Sequence, residues 1–416
     1  MTVQNENKKI FSDMMWNTVG NIVYCICQWV ITILVVRFAS YSEAGYLSLA
    51  MSTTSTFSTI ALFNMRNYQV SDIKGEFKDD EYVGSRLLTV VFATACCIVS
   101  SINSTSIYQM LCIDAFMLIR IAESLVDVFH GIDQKHGKYD VIGKSFLLRG
   151  IFTVIGFLGG LLLTNNLAVA ILITGIANIM VVVVYDLLNT IKITKIKPIF
   201  WNKNIYNLLK TCLPLMAISF LLSLIPLNAR SQLQVLKGNE VLGKYASIAS
   251  PTLIVQVFAS YAFNPLVPRI AVLYLEKRYG DFLAFLKKLV LFFVGFACVV
   301  LLFGNILGKL GLTILYGDSI LEYYYVFNPL VICTLLTAYV WIFTAIVTAI
   351  RCITPMLVVT IISYLFVHFS TNGFISYFGV NGASYVQIIG FFIFIFLLLV
   401  ITITKIKCLE KGSLNG

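Results

Sequence analysis

The sequence predicts an all-α membrane protein: twelve transmembrane helices in two pseudo-symmetric six-helix lobes. Three observations carry this. Of 416 residues, 59% are apolar and only 12% charged, about half the charged fraction of an average soluble domain. The apolar residues gather into segments of about 20, the length that crosses a bilayer as a helix. The Lys and Arg residues between those segments fall almost entirely on one side. This composition excludes an ordinary soluble enzyme, a disulfide-built secreted domain and a disordered chain.

The spans follow in order. Span 1 (14–36) follows a polar stretch, is too long for a signal-peptide core and lacks a small-residue cleavage site. It is therefore an uncleaved first span. Span 2 (43–64) is rich in hydroxyl residues, and span 3 (83–102) starts after a polar loop at 65–82. Span 4 (106–130) is reached through a minimal Asn103-Ser104 turn, and span 6 (167–188) follows span 5 (143–163) through Asn165-Asn166. A second polar connection, 189–206, leads to span 7 (207–228). Spans 8 (241–263), 9 (284–306), 10 (323–349), 11 (356–376) and 12 (380–403) complete the chain. The largest outer loops expected are 229–240 and 307–322, too short for an extramembrane catalytic domain.

With the N-terminus inside, 23 Lys/Arg fall in cytoplasmic segments or adjoining span ends, clustered around Lys74, Lys135, Lys195, Lys277 and Lys407. Five fall outside: Arg37, Arg230, Lys237, Lys244 and Lys309. This asymmetry places both termini in the cytoplasm. It also explains the formal charge of +10 without a nucleic-acid partner.

The halves repeat each other. Gly45-Tyr46 opens span 2 and Gly243-Lys244-Tyr245 opens span 8. Arg66 and Gln69 follow the first of these spans; Asn264-Pro265 and Arg269 follow the second. The domains expected are 1–200, ending in the linker with Pro198, and 201–416. Six is even, so the two lobes share an orientation and are related by an axis along the membrane normal.

Polar residues at membrane depth are the candidates for function. Arg120, Glu123 and Asp127 follow i, i+3, i+7 in span 4 and fall within about 60° of one another on a helix. Arg149 lies five residues into span 5. The helical rise puts Glu123 and Arg149 at similar depth, about 10 Å and 7–8 Å from their connecting turn, so they can pair. Facing lipid, Arg120, Glu123 and Arg149 would cost about 8–10 kcal/mol. They must face protein or water, as a buried tie between spans 4 and 5 or as the wall of a hydrophilic cavity. A free part of Arg120 would attract an anionic group.

Ser48, Ser52, Ser55 and Thr59 line one face of span 2. They either bond their own backbone and allow close packing or form a wet wall suited to sugar hydroxyls. Arg230 ends span 7 beside Asn228 and Gln232, and Pro214, Pro226, Pro251 and Pro265 interrupt spans 7 and 8, as static kinks or as points of bending. The cysteines lie mostly inside spans and read as small apolar side chains. No metal-ligand spacing, P-loop, HExxH, GxSxG or dinucleotide turn is present, so no metal, cofactor or enzymatic activity is expected.

Glu123-Ser124, Asp127, Gly131, Gln134, Ser145 and Arg149-Gly150 together resemble the fourth and fifth spans of Wzx-type bacterial polysaccharide flippases. These belong to the multidrug/oligosaccharidyl-lipid/polysaccharide exporter superfamily. Arg66-Asn67-Tyr68-Gln69-Val70-Ser71-Asp72 is similar to that family's first cytoplasmic loop, and Asn228-Ala229-Arg230 with Gln256, Pro265 and Pro268-Arg269 to its second-half counterparts. The resemblance covers most of the chain and is strongest from 37 to 150. It implies two lobes in a V, the MATE-like arrangement, and alternating access. The implied cargo is an oligosaccharide on undecaprenyl pyrophosphate, moved from the cytoplasmic to the outer leaflet of the bacterial inner membrane for O-antigen, lipopolysaccharide or capsule assembly. The pyrophosphate would suit Arg120, Arg149 and Arg269, and the sugars the Ser/Thr face of span 2. Membrane lipids, and the polymerase and chain-length proteins of the same pathway, are the expected partners. Two other functions compete. A drug/cation antiporter of the same superfamily should favour acidic and aromatic groups over arginines at its site. A membrane polymerase or ligase should carry a large outer loop.

Overall fold

The computed structural model describes residues 3–72, 75–263 and 266–414. Lys74, Asn264 and Pro265 lie outside the described residues. The described residues are mostly helical, and contacts divide the chain into two compact units, Met1–Ser223 and Leu224–Gly416.

The first unit begins with α1 (Val3–Phe38), α2 (Tyr41–Leu62) and the short α3 (Met65–Ser71). It continues with α4 (Asp79–Ser101), α5 (Ile107–Lys135), α6 (Tyr139–Thr164) and α7 (Leu167–Val181). A π-helical turn, Val182–Leu187, joins α7 to α8 (Leu188–Ile193), and α9 (Lys203–Lys237) runs across the boundary between the units. The second unit holds α10 (Asn239–Phe263), α11 (Leu266–Leu275), α12 (Tyr279–Tyr316), a 3-10 turn (Asp318–Val326), α13 (Phe327–Ala349), α14 (Ile353–Phe378) and α15 (Val380–Leu414).

Among the described residues, nine helices are both long and apolar enough to cross a membrane. The helices α2, α5 and α10 have 22, 29 and 25 residues but fall outside that set. Of these, α2 carries the hydroxyl stripe and α5 carries Arg120, Glu123 and Asp127.

The tight turns follow from their sequences. Ser40, Ser106 and Asn166 each accept a backbone N–H of the following helix, from Glu43, Gln109 and Val169, which supplies a missing partner at a helix start. Asn165 ends α6 in the left-handed conformation, φ 50°, which asparagine tolerates. The two-residue link Asn165-Asn166 is therefore both the end of one helix and the cap of the next.

Four expected connections turn out to be helical in part. Residues 65–71 form α3 and 266–275 form α11, so each half carries a short helix after its second long one. The expected outer loops at 229–240 and 307–322 are largely helical, since α9 extends to Lys237 and α12 to Tyr316. Polarity was the cue for a loop at 229–237, yet Ala, Arg, Gln, Leu and Lys there are good helix formers. Helix and span do not end together.

In the first unit, α6 packs against α1 and α7, and α5 packs against α7, α2 and α4. Gly20 on α1 and Gly143 on α6 set the α1–α6 crossing. A Cβ at Gly20 would strike the Gly143 carbonyl, and one at Gly143 the Trp16 carbonyl. Further along the same contact, the Cβ position of Gly150 lies 3.3 Å from Tyr24 Cα. This close approach puts Tyr24 beside Arg149. An apolar cluster including Ile31, Leu47, Phe116, Ile119, Phe157 and Ile171 lies on one side of this region. A second, including Met65, Tyr82, Val126, Phe129 and Leu208, lies on the other. In the second unit, α15 packs on α13 and α14, and α10 on α13, burying Tyr245, Ile248, Phe343 and Phe394.

Candidate functional site

Two arginine-rich clusters stand along α5. In the first, Arg120 Nη1 donates to Glu123 Oε2 at 2.6 Å, and Arg149 Nη2 lies 4.0 Å from Glu123 Oε1. The Tyr24 hydroxyl joins them, donating to Glu123 Oε1 and accepting from Arg149 Nη2 at 3.2 Å. Arg149 Nε donates to Asn178 Oδ1 on α7 at 3.2 Å. Asn178 is fixed in turn by donating to Thr153 Oγ1 and the Thr174 carbonyl, each at 3.0 Å. Four helices thus meet on one carboxylate and two guanidinium groups.

The pairing of Glu123 with Arg149 expected from their depths is present. Exposure differs sharply within the cluster. The Arg149 side chain is 2% exposed, whereas Arg120 and Glu123 keep 19% and 22%. Arg149 acts as a buried strut, and Arg120 and Glu123 remain partly exposed. Arg120 also lies over the Phe116 ring, 5.3 Å from its centroid, and its Nε has no hydrogen-bond partner among the described residues. Two arginines to one carboxylate leave the cluster one positive charge in excess.

Asp127 belongs to the second cluster. Its Oδ2 accepts from Arg86 Nη2 at 2.7 Å and its Oδ1 from Arg66 Nη1 at 3.1 Å. Arg66 Nη2 reaches Gln134 Oε1 at 3.0 Å, and Arg86 Nη1 donates to the Ala61 carbonyl at 2.8 Å. The shared helix face of Arg120, Glu123 and Asp127 does not make them one network. Four residues along a helix is about 6 Å, enough for Asp127 to meet α3 and α4 instead. Arg86 is fully buried and was not singled out by the sequence, where a basic residue at a span end passes for one reaching water. Its place inside span 3 was the available cue. Arg66 is held by α3, which the helix break at Phe63 and Asn64 (φ 49° and 53°) turns back towards α5.

Two of the four hydroxyls in the α2 stripe, Ser52 and Thr59, bond to their own helix, while the buried Ser48 hydroxyl has no partner among the described residues. Ser52 donates to the Ser48 carbonyl at 2.8 Å, Thr56 to Ser52 at 3.1 Å and Thr59 to Thr56 at 2.7 Å. Ser52 is buried, Thr59 half-buried and Ser55 exposed. Arg230 and Arg269 lie in the second unit. Arg230 is half-buried near Tyr245 and Cys333, and Arg269 is exposed with its guanidinium 5.4 Å over the Phe285 ring. Among the described residues, no group of three His, Cys, Asp or Glu side chains could hold a metal ion, and all ten cysteines are free.

The fold is shared with solved MATE transporters and with the lipid II flippase MurJ. The lipid II flippase MurJ, solved in an inward closed conformation, superposes with a TM-score of 0.71 over 96% of this chain and 91% of that one, at 13% identity. The MATE multidrug transporter DinF-BH, solved in complex with a ligand, gives 0.65 over 95% and 94%, at 14% identity. A Vibrio cholerae MATE transporter, VcmN, gives 0.61 over 98% and 97%, at 11% identity. In sequence, the chain is 24% identical to the capsular polysaccharide biosynthesis protein CapF of Staphylococcus aureus over 310 residues, 72% of this chain and 76% of that protein. No family model matches.

Proposed function

We propose that the chain is a flippase that carries an oligosaccharide on undecaprenyl pyrophosphate from the cytoplasmic to the outer leaflet of the bacterial inner membrane. It works by alternating access between two six-span lobes, 1–200 and 201–416, with both termini in the cytoplasm. This count includes α2, α5 and α10 among the spans. The observation that carries the proposal is the surplus of arginine on α5 and its neighbours. A partly exposed Arg120, beside a buried Arg149, attracts a pyrophosphate and disfavours a cation. Arg66 extends this basic surface, and Arg230 and Arg269 are its counterparts in the second lobe. Ser55 offers a hydroxyl to sugar, while Ser52 and Thr59 shape the α2 surface behind it. The likeness to a capsular polysaccharide biosynthesis protein and to a lipid II flippase supports a lipid-linked glycan for O-antigen, lipopolysaccharide or capsule. Polymerase and chain-length proteins would then receive the product.

The test is complementation of a flippase-null strain. The wild-type gene should clear accumulated lipid-linked repeat units; Arg120→Ala and Arg149→Ala should not, although both proteins reach the membrane. Failure of the wild type to clear any such intermediate would reject the proposal. The second reading, a multidrug antiporter, is favoured by the superposition on the multidrug transporter DinF-BH. It predicts instead that the gene lowers cellular accumulation of a cationic dye and leaves lipid-linked sugars unchanged.

A further inference from the structure

Two carboxyl groups differ from Glu123 and Asp127 in having no arginine. Asp133 at the end of α5 and Asp186 in the π-helical turn are both fully buried. Neither forms an ion pair with Lys or Arg among the described residues. Asp186 Oδ1 lies 3.3 Å from Nε2 of His130, itself 1% exposed and wedged edge-on against Phe146. The Thr190 hydroxyl lies 3.3 Å from Asp133 Oδ1 and 3.0 Å from the Asp186 carbonyl oxygen, and its single proton serves one of them at a time. The remaining oxygens, Asp133 Oδ2 and Asp186 Oδ2, have no hydrogen-bond partner among the described residues. The two carboxyl groups are close enough for their charges to interact.

With both carboxyls ionised, this water-excluded pocket would hold a charge of −2 beside a neutral His130, or −1 beside a protonated one. A buried charge without a partner is neutralised rather than kept. We infer that His130, Asp133 and Asp186 form a proton-binding site, which holds one exchangeable proton on its carboxyls and is separate from the arginine clusters. Other charged or titratable groups face the site from the surrounding helices: Arg66 on α3, His136 on α5, Asp140 and Arg149 on α6, and Tyr185 in the π turn. None of them hydrogen-bonds to either carboxyl. Asp133 lies beyond the end of span 4 as read from the sequence. Burial pushes its carboxyl up to about 7, with the Thr190 hydroxyl opposing and the Asp186 charge adding to the rise.

The position gives the proton something to act on. The site joins α5, which bears Glu123 and Asp127, to the turn continuing α7, which bears the Asn178 that orients Arg149. A π turn carries one residue more per hydrogen-bonded ring than the α-helix around it and is frequent where a helix does work. Losing the proton sets two carboxylates against each other across this contact and loosens it, whatever cargo the protein moves.

The experiment is infrared titration of the full-length protein in lipid nanodiscs, without cargo, from about pH 5 to about pH 9, a range that brackets a raised buried carboxyl. A protonated-carboxyl band should vanish with a midpoint near neutrality in the wild type. It should be missing or displaced in Asp133→Asn and Asp186→Asn and unchanged in Asp114→Asn, a carboxyl nearer the start of α5 that accepts from the Ser101 hydroxyl at 2.8 Å. Carbon-13 labelling of the aspartate carboxyls should shift the wild-type band, a check that needs no variant to fold. No such band, or one that survives in both Asp133→Asn and Asp186→Asn, overturns the inference. So does a midpoint that moves when sodium replaces choline, which would make the site one for sodium. The readout involves neither cargo nor dye, so its failure is distinct from failure of the transport reading.

Discussion

Tyr24 and Glu123, 99 residues apart in sequence, share a hydrogen bond that ties α1 to α5, and through it Arg149 on α6 is held in place. The tyrosine hydroxyl is both donor and acceptor there, so no other side chain of its size can replace it.

Tyr24→Phe should leave Glu123 and Arg149 each one partner short. We expect a loss of about 1–3 kcal/mol, the cost of unsatisfied buried groups, read as a lower thermal unfolding temperature of the purified protein. The ring packing with Phe146 stays, so the loss belongs to the hydroxyl.

Glu123→Gln should destabilise by about 3–5 kcal/mol, because it leaves the buried Arg149 without its carboxylate, and Arg149→Gln by less, because Glu123 keeps Arg120 and Tyr24 as partners. The double variant should cost clearly less than the sum. A double-mutant cycle by thermal unfolding checks this; additive losses would mean that the two groups do not sense each other.

Arg86→Met should be more damaging than Arg66→Ala. Arg86 is fully buried and bonds both Asp127 and the Ala61 carbonyl, whereas Arg66 is 27% exposed. The expected cost for Arg86 is about 3–5 kcal/mol, and for Arg66 about 1 kcal/mol, by the same measurement.

Gly20→Leu and Gly143→Leu should each abolish folding or force α1 away from α6, since the obstacle is backbone that cannot rotate aside. Gly159→Leu, where nothing lies within 4 Å of a new Cβ, should be tolerated. Expression and unfolding temperature separate the two outcomes.

The polar segment after α3 should loosen in acid. Asp72 accepts the backbone N–H groups of Glu76 (2.8 Å) and Phe77 (3.0 Å). Burial pushes its carboxyl up, but those two N–H groups and the Lys135 charge outweigh this and hold it below its usual value. A depressed carboxyl stabilises the fold above its unfolded pKa, near 4, and that contribution is lost as pH falls through the folded value. Amide exchange at Glu76 and Phe77 should therefore quicken below about pH 4 and be fast at neutral pH in Asp72→Asn.

Much of this was legible in the sequence. Each expected span contains the body of a helix, because apolar length and turn residues such as Asn165-Asn166 act locally. Depth arithmetic along spans 4 and 5 was enough to match Glu123 with Arg149. The rest depends on packing that no local pattern encodes. Tyr24 sits in an apolar stretch and reads as core until α6 is laid beside it. Asp127 shares an azimuth with Glu123, but its partners are chosen by height, and the partners of Arg86 emerge only once α4 is placed. The hydroxyl stripe of α2 left two meanings open, and Ser52 and Thr59 bond to their own backbone. Asp133 follows span 4 and Asp186 lies in span 6, two segments that the sequence had no reason to join.

Each cluster on α5 pairs two guanidinium groups with a single carboxylate, so a fixed positive surplus sits at or near bilayer depth. Carrying one elementary charge across a membrane potential of 100 mV is worth about 2.3 kcal/mol. If α5 shifts along the membrane normal during a cycle, the rate of that step acquires a voltage dependence from the protein alone, before the charge of any cargo is counted.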